Sequence, residues 1–162
     1  MSDLIKRLIG SRNSFFLIAG PCVVESEELC MEIAEHLSSV CSKLEIPWIF
    51  KASYKKANRS KIDSFTGIGD EKALEILAKI KERFKVPVIT DIHESSEAEK
   101  AAKFVDILQI PAFLCRQTDL LIAAGRTGKP VNIKKAQFLA PEQMEYAIEK
   151  IKSTGNSDIF LT

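Results

Sequence analysis

The stretch from Val86 to Ile110, VPVITDIHESSEAEKAAKFVDILQI, decides the fold. It opens on the apolar run Val86-Pro87-Val88-Ile89 and breaks at the polar string Thr90-Asp91-Ile92-His93-Glu94. A short helical pattern follows, opened by Ser95 or Ser96 and lined by Ala98, Ala101 and Ala102, before a second apolar run, Val105-Asp106-Ile107-Leu108-Gln109-Ile110. Two continuous apolar runs joined by one helix describe a βαβ unit, whose strands lie parallel and are covered on both faces.

The same alternation extends in both directions. Further apolar runs occur at Phe15–Ala19, Trp48–Phe50, Val131–Ile133 and Ile159–Leu161. Between them, Ser26 caps a helix with Glu27 and Glu28 in its first turn and a stripe of Leu29, Ile33, Leu37, Val40 and Leu44. Asp70 opens a helix lined by Ala73, Leu74, Leu77 and Ile80, Thr118 caps one containing Leu120, Leu121 and Ala124, and Pro141 begins one containing Met144, Ala147, Ile148 and Ile151 that Gly155 closes. Strand–helix alternation of this kind builds an α/β parallel sheet. Length alone suits a six-stranded doubly wound sheet, since a closed (β/α)8 barrel needs ~250 residues. The final run, Asp158-Ile159-Phe160-Leu161-Thr162, stops where a strand should hand over to a covering helix, so the chain reads as cut rather than finished.

At 162 residues the chain forms one domain, 1–162. Lys and Arg number 23 against 22 Asp and Glu, so no global field gathers nucleic acid or an anionic membrane. No apolar run approaches the ~18 residues of a membrane span, and Met1–Gly10 carries no apolar leader with a cleavage site; a cytoplasmic location is expected. The four cysteines, Cys22, Cys30, Cys41 and Cys115, read as free thiols, with Cys30 and Cys41 as packing residues.

Polar residues follow each apolar run: Gly20-Pro21-Cys22, Lys51-Ala52-Ser53, Asp91 with His93, Gln109 before Pro111-Ala112, and Lys134-Lys135. The carboxyl ends of parallel strands form the ligand-binding face in barrels and open sheets alike. Lys51, Lys56, Arg59, Arg116 and Lys134 outnumber the anions there, which points to a phosphate or carboxylate ligand. Each residue also has a plainer reading. Cys22 after Gly-Pro is a packed small side chain or a thiolate ligand, Asp91 and His93 are a hydrogen-bonded strand-end pair or catalytic, and Lys55–Lys61 is a solvated basic loop or a binding loop. Lys134, at a barrel mouth, requires a counter-charge.

Taken together, the strings Ile18–Cys22 with Glu25-Ser26, Phe50–Ser53, Lys56–Ser60, Thr90–Glu94, Gln109–Leu121 and Val131–Leu139 resemble the 3-deoxy-D-manno-octulosonate 8-phosphate synthases, in unbroken order from about residue 14. The resemblance implies a (β/α)8 barrel of which this chain covers about six of eight βα units. It implies condensation of phosphoenolpyruvate with arabinose 5-phosphate in the route to a lipopolysaccharide sugar. The sister 3-deoxy-D-arabino-heptulosonate 7-phosphate synthases share the barrel and are the alternative, as is an inactive barrel piece that only associates with other chains.

The resemblance assigns Lys56, Asn58 and Asp91 as catalytic, and Lys51, Arg59, Ser60, Gln109, Pro111, Ala112, Phe113, Arg116 and Lys134 as substrate-binding. Phe113 and Arg116 belong to a loop that reaches a neighbouring subunit's site in the family's tetramers, so a homo-oligomer is implied. Cys22 places the chain with the metal-dependent members, as one ligand of a divalent metal whose other ligands would lie beyond Thr162. On that expectation the chain alone is inactive.

Overall fold

The computed structural model describes residues 15–162; the Met1–Gly10 stretch read above lies outside them. Six strands, β1 (Leu17–Ala19), β2 (Trp48–Lys51), β3 (Val88–Asp91), β4 (Ile107–Ile110), β5 (Val131–Ile133) and β6 (Ile159–Leu161), form one sheet. Their order in the sheet is their order in the chain, and every pair is parallel. A doubly wound sheet reverses its order at a switch point, so this winding excludes that arrangement.

Among the described residues, five α-helices cover one side: α1 (Glu27–Lys43), α2 (Asp70–Phe84), α3 (Ala98–Ala102), α4 (Thr118–Arg126) and α5 (Met144–Lys152). Outward strand residues such as Phe50, Val88, Leu108, Ile110, Val131 and Ile133 share a large core with Ala34, Leu77, Leu121 and Ile151 of the helices. The inner face holds a separate small cluster, Ile49, Ile89 and Ile107 with Phe16, Ile18 and Phe160, and among the described residues no helix residue enters it. The Phe16 and Phe160 rings meet across that face, so the sheet curls inward as part of a barrel.

Local sequence accounts for most boundaries. Ser26 Oγ accepts the Leu29 N–H at 3.1 Å, as an N-cap should. Gly69, at φ 101°, precedes α2 in a conformation that favours glycine. Three expectations shift. The face of α1 that meets the sheet centres on Cys30, Ala34 and Cys41, whereas Val40 and Leu44 are exposed; small side chains let the helix approach closely, and the larger ones flank the contact. Thr118 is the first residue of α4 rather than its cap, and Gln117 in the cap position makes no side-chain bond. Ser95–Glu97 is a 3-10 turn ahead of α3, capped by Glu94. No helix among the described residues is long and apolar enough to cross a membrane.

Candidate active site

Above the apolar inner cluster, the same strand faces turn polar. Because side chains alternate along a strand, Ile49 is followed inward by Lys51, Ile89 by Asp91 and Ile107 by Gln109. Asp91, Gln109 and Asn132 stand in register across β3, β4 and β5. All three are buried, as is Ser53 just beyond β2.

These groups form one hydrogen-bonded row. Ser53 donates its hydroxyl to Asp91 Oδ2, and Gln109 donates Nε2 to Asp91 Oδ1. Asn132 donates Nδ2 to Gln109 Oε1 at 2.8 Å and to Thr162 Oγ1 at 3.2 Å. At the other end, Lys51 Nζ and Lys56 Nζ lie 3.0 and 2.9 Å from Ser53 Oγ, and Lys51 Nζ is 3.4 Å from Asp91 Oδ2. Burial pushes the Asp91 carboxyl up, but the Lys51 charge and the bonds from Ser53 and Gln109 outweigh it and hold the group below the usual carboxylate range. Burial pulls the Lys51 ammonium down, against the attraction of Asp91. Two ammonium groups face one carboxylate, so the mouth of the curl presents a preorganised surplus of positive charge.

The β1 end joins this group through its backbone. A side chain on Gly20 would collide with the Lys51 carbonyl, so only glycine lets β1 lie this close to β2 before the chain turns to Cys22. Cys22 is exposed, and its thiol is held below its ordinary pKa by a hydrogen bond with Lys56, helped by the charges of Lys51 and Arg59. Such a thiol suits metal ligation. Yet among the described residues no group of three or more His, Cys, Asp and Glu could hold an ion, and the charges nearest Cys22 are cations. The described residues therefore do not make a metal centre by themselves.

Of the residues singled out from sequence, Lys51, Lys56, Asp91 and Gln109 share the row, with Cys22 beside it. Asn58, Arg59 and Ser60 are exposed on the loop after β2, where Arg59 Nε donates to the Phe65 carbonyl at 3.0 Å. Lys134 is exposed just past β5 and finds no counter-charge among the described residues. Pro111 is buried and Ala112 half-buried at the end of β4; Phe113 and Arg116 are exposed and stay out of the row, with Arg116 lining an outer cleft beside Phe138, Tyr146 and Lys150.

His93 does not pair with Asp91. The strand ends at Asp91, the alternation lapses at buried Ile92, and His93 Nδ1 lies 3.6 Å from Glu97 Oε2, which also accepts the His93 N–H at 2.7 Å. Glu97 further binds Lys55 and Tyr54, and despite its burial these bonds hold its carboxyl well below the usual range. In the sequence Ser53 stands at a strand end but is given no role, and Asn132, Thr162 and Glu97 are likewise given none. The first two carried a signal, a polar residue at an inward position beside an apolar strand run.

The DAHP synthetase I family matches the chain over residues 3–162. Among similar curated proteins, the 2-dehydro-3-deoxyphosphooctonate aldolase of Koribacter versatilis is 56% identical over 147 residues, 91% of this chain and 53% of that protein. The protein of the same name from Syntrophobacter fumaroxidans is 51% identical over 99% of this chain and 55% of its own length, and that of Fusobacterium nucleatum is 56% identical over 95% and 55%. The chain thus spans about half the length of the curated relatives it matches. A sequential parallel sheet, an inward cationic row and a match running to the last residue agree: the chain belongs to the DAHP synthetase I family.

Proposed function

We propose that this chain supplies the phosphoenolpyruvate-binding part of a 3-deoxy-D-manno-octulosonate 8-phosphate synthase. The observation that carries the reading is the buried row in which Lys51 and Lys56 converge on Ser53 and Asp91 at the carboxyl ends of the strands. Phosphoenolpyruvate brings a carboxylate and a phosphate to a mouth that holds more positive than negative charge. The names of the similar proteins favour the octulosonate reaction over the sister heptulosonate one.

In that reaction C3 of phosphoenolpyruvate attacks the aldehyde carbon of arabinose 5-phosphate, water adds at C2, and the bond from C2 to the phosphate oxygen breaks to release inorganic phosphate. Lys51 and Lys56 would hold the anionic substrate in line, and Asp91 would keep both ammonium groups in place. Arg59, Asn58 and Ser60, exposed on their loop, would meet the phosphate ends of the substrates, together with exposed Lys134. Exposed Phe113 and Arg116 are available to a second copy of the chain, as a tetramer requires. Cys22 would ligate a divalent metal only together with donors outside the described residues. Both substrates are phosphorylated and do not cross a bilayer unaided, so the reading carries a cytoplasmic location with it.

Calorimetric titration with phosphoenolpyruvate tests the reading, run beside an assay of phosphate release from both substrates with a divalent metal present. Binding that Lys51→Met weakens about tenfold or more is the expected result. A folded protein that does not bind phosphoenolpyruvate, or binds it equally well with Lys51→Met, would overturn it.

A further inference from the structure

Asn132 is fully buried in β5, and both its amide hydrogens are committed, to Gln109 Oε1 and to Thr162 Oγ1. Its Oδ1 has no partner among the described residues, so every hydrogen bond this side chain makes there is a donation. Gln109 in turn donates to Asp91, an acceptor on both oxygens. The row therefore has a direction, running from Asn132 through Gln109 to Asp91. Turning the Gln109 amide over would set Oε1 against Asp91 Oδ1 and Nε2 against the Asn132 N–H. Two like-with-like contacts would then stand in a buried layer, each leaving a desolvated group unpaired.

We propose that Asn132 is a positioning residue. By filling Gln109 Oε1 it holds the Gln109 N–H toward Asp91, and through Asp91 it fixes where Lys51 and Lys56 place their charges. Chained hydrogen bonds polarise one another, so the donation at Oε1 also makes Gln109 Nε2 a stronger donor. With Gln109 turned, Asp91 Oδ1 loses its partner. The carboxylate is then free to rotate onto the ammonium groups and draw them away from the mouth. The consequence for ligand binding rests on the proposed function; the orientation of Gln109 does not.

Two variants separate these claims. Asn132→Asp replaces the donor by an acceptor of the same shape, which claims Gln109 Nε2 and turns the amide. Asn132→Leu removes the donor without adding charge. The measurement is the NMR coupling across the hydrogen bond from the Gln109 side-chain nitrogen to the Asp91 carboxyl carbon, read in the wild-type protein and both variants alongside thermal unfolding. The coupling is expected in the wild type, transferred to the new carboxyl carbon in Asn132→Asp and lost in Asn132→Leu, with phosphoenolpyruvate binding weakened about tenfold or more in each. Retention of the wild-type coupling in either folded variant would overturn the proposal. Should Asn132→Asp fail to fold, Asn132→Leu carries the measurement. If the couplings change as expected but the wild-type protein does not bind phosphoenolpyruvate, the functional reading fails and the orientation stands.

Discussion

The rings of Phe16 and Phe160 lie 5.8 Å apart with their planes tilted by 58°, although they flank or belong to the first and last strands of a six-stranded sheet. In a flat sheet those strands would be about 24 Å apart, at ~4.8 Å per strand. The contact closes the inner face beneath the polar row, so Lys51, Asp91 and Gln109 stand on an apolar floor instead of over open solvent.

Rings in such contact are energetically coupled. A double-mutant cycle with Phe16→Leu and Phe160→Leu, read by chemical denaturation, should return a coupling of about 0.5–1.5 kcal/mol. Strictly additive effects would mean that the ends of the sheet do not meet.

Glu97 should make stability depend on pH. Its carboxyl is depressed in the folded state by bonds from His93, Lys55 and Tyr54 that outweigh burial. A depressed carboxyl contributes stability above its unfolded pKa, and that contribution is lost as pH falls toward the folded value. Glu97→Gln should therefore destabilise the protein by about 1–3 kcal/mol at pH 7. The difference from wild type should shrink steadily below about pH 4, where the unfolded chain's carboxyl takes up its proton. Denaturation midpoints collected from pH 7 to pH 3 check this, and a gap that stays constant would count against it.

Arg59 and Lys134 invert that pattern. Both are exposed, and neither anchors the row. Replacing either by Ala should leave stability within about 0.5 kcal/mol of wild type. On the proposed function, in an enzyme whose barrel is completed beyond this chain, it should lower kcat/KM for phosphoenolpyruvate by about 30- to 1,000-fold, about 2–4 kcal/mol of transition-state binding. Steady-state kinetics beside a thermal melt distinguish this from a folding defect. Values within threefold of wild type would remove both residues from the site.

Cysteine chemistry reports on the same mouth. Cys22 is exposed and its thiol is lowered by Lys56, whereas burial pushes Cys30 up to about 11. Iodoacetamide at neutral pH should modify Cys22 well before Cys30, Cys41 or Cys115, as peptide mass spectrometry would show. Lys56→Met should shift the Cys22 alkylation profile to higher pH. An unshifted profile would place Lys56 away from the thiol.

The strands and their polar ends were legible because a parallel strand alternates strictly: Ile89 facing inward fixes Asp91, and Ile107 fixes Gln109. The rule holds only within a strand. Carried two residues past the end of β3, it put His93 beside Asp91, where the turn at Ile92 sends it to Glu97 instead. Glu97 itself was hidden because two of its partners, Tyr54 and Lys55, come from the loop after β2, more than forty residues earlier in the chain, and only His93 lies within one turn of it. On α1 the apolar stripe pointed to the large residues, whereas the closest packing selects small ones, Cys30 and Ala34. Phe113 and Arg116 carry no signal of their place in a single chain, since their side chains face outward.

A sheet whose spatial order repeats its chain order also sets an order of assembly. Asp91 meets Gln109 across 18 residues, and Gln109 meets Asn132 across 23, so each member of the row joins one made shortly before it. As the chain leaves the ribosome, the row can grow strand by strand with only short loops to close. The Phe16–Phe160 contact joins the two ends of the described chain and closes the longest loop of all. In that order the floor beneath the row is completed last, and it depends on every strand between its two rings.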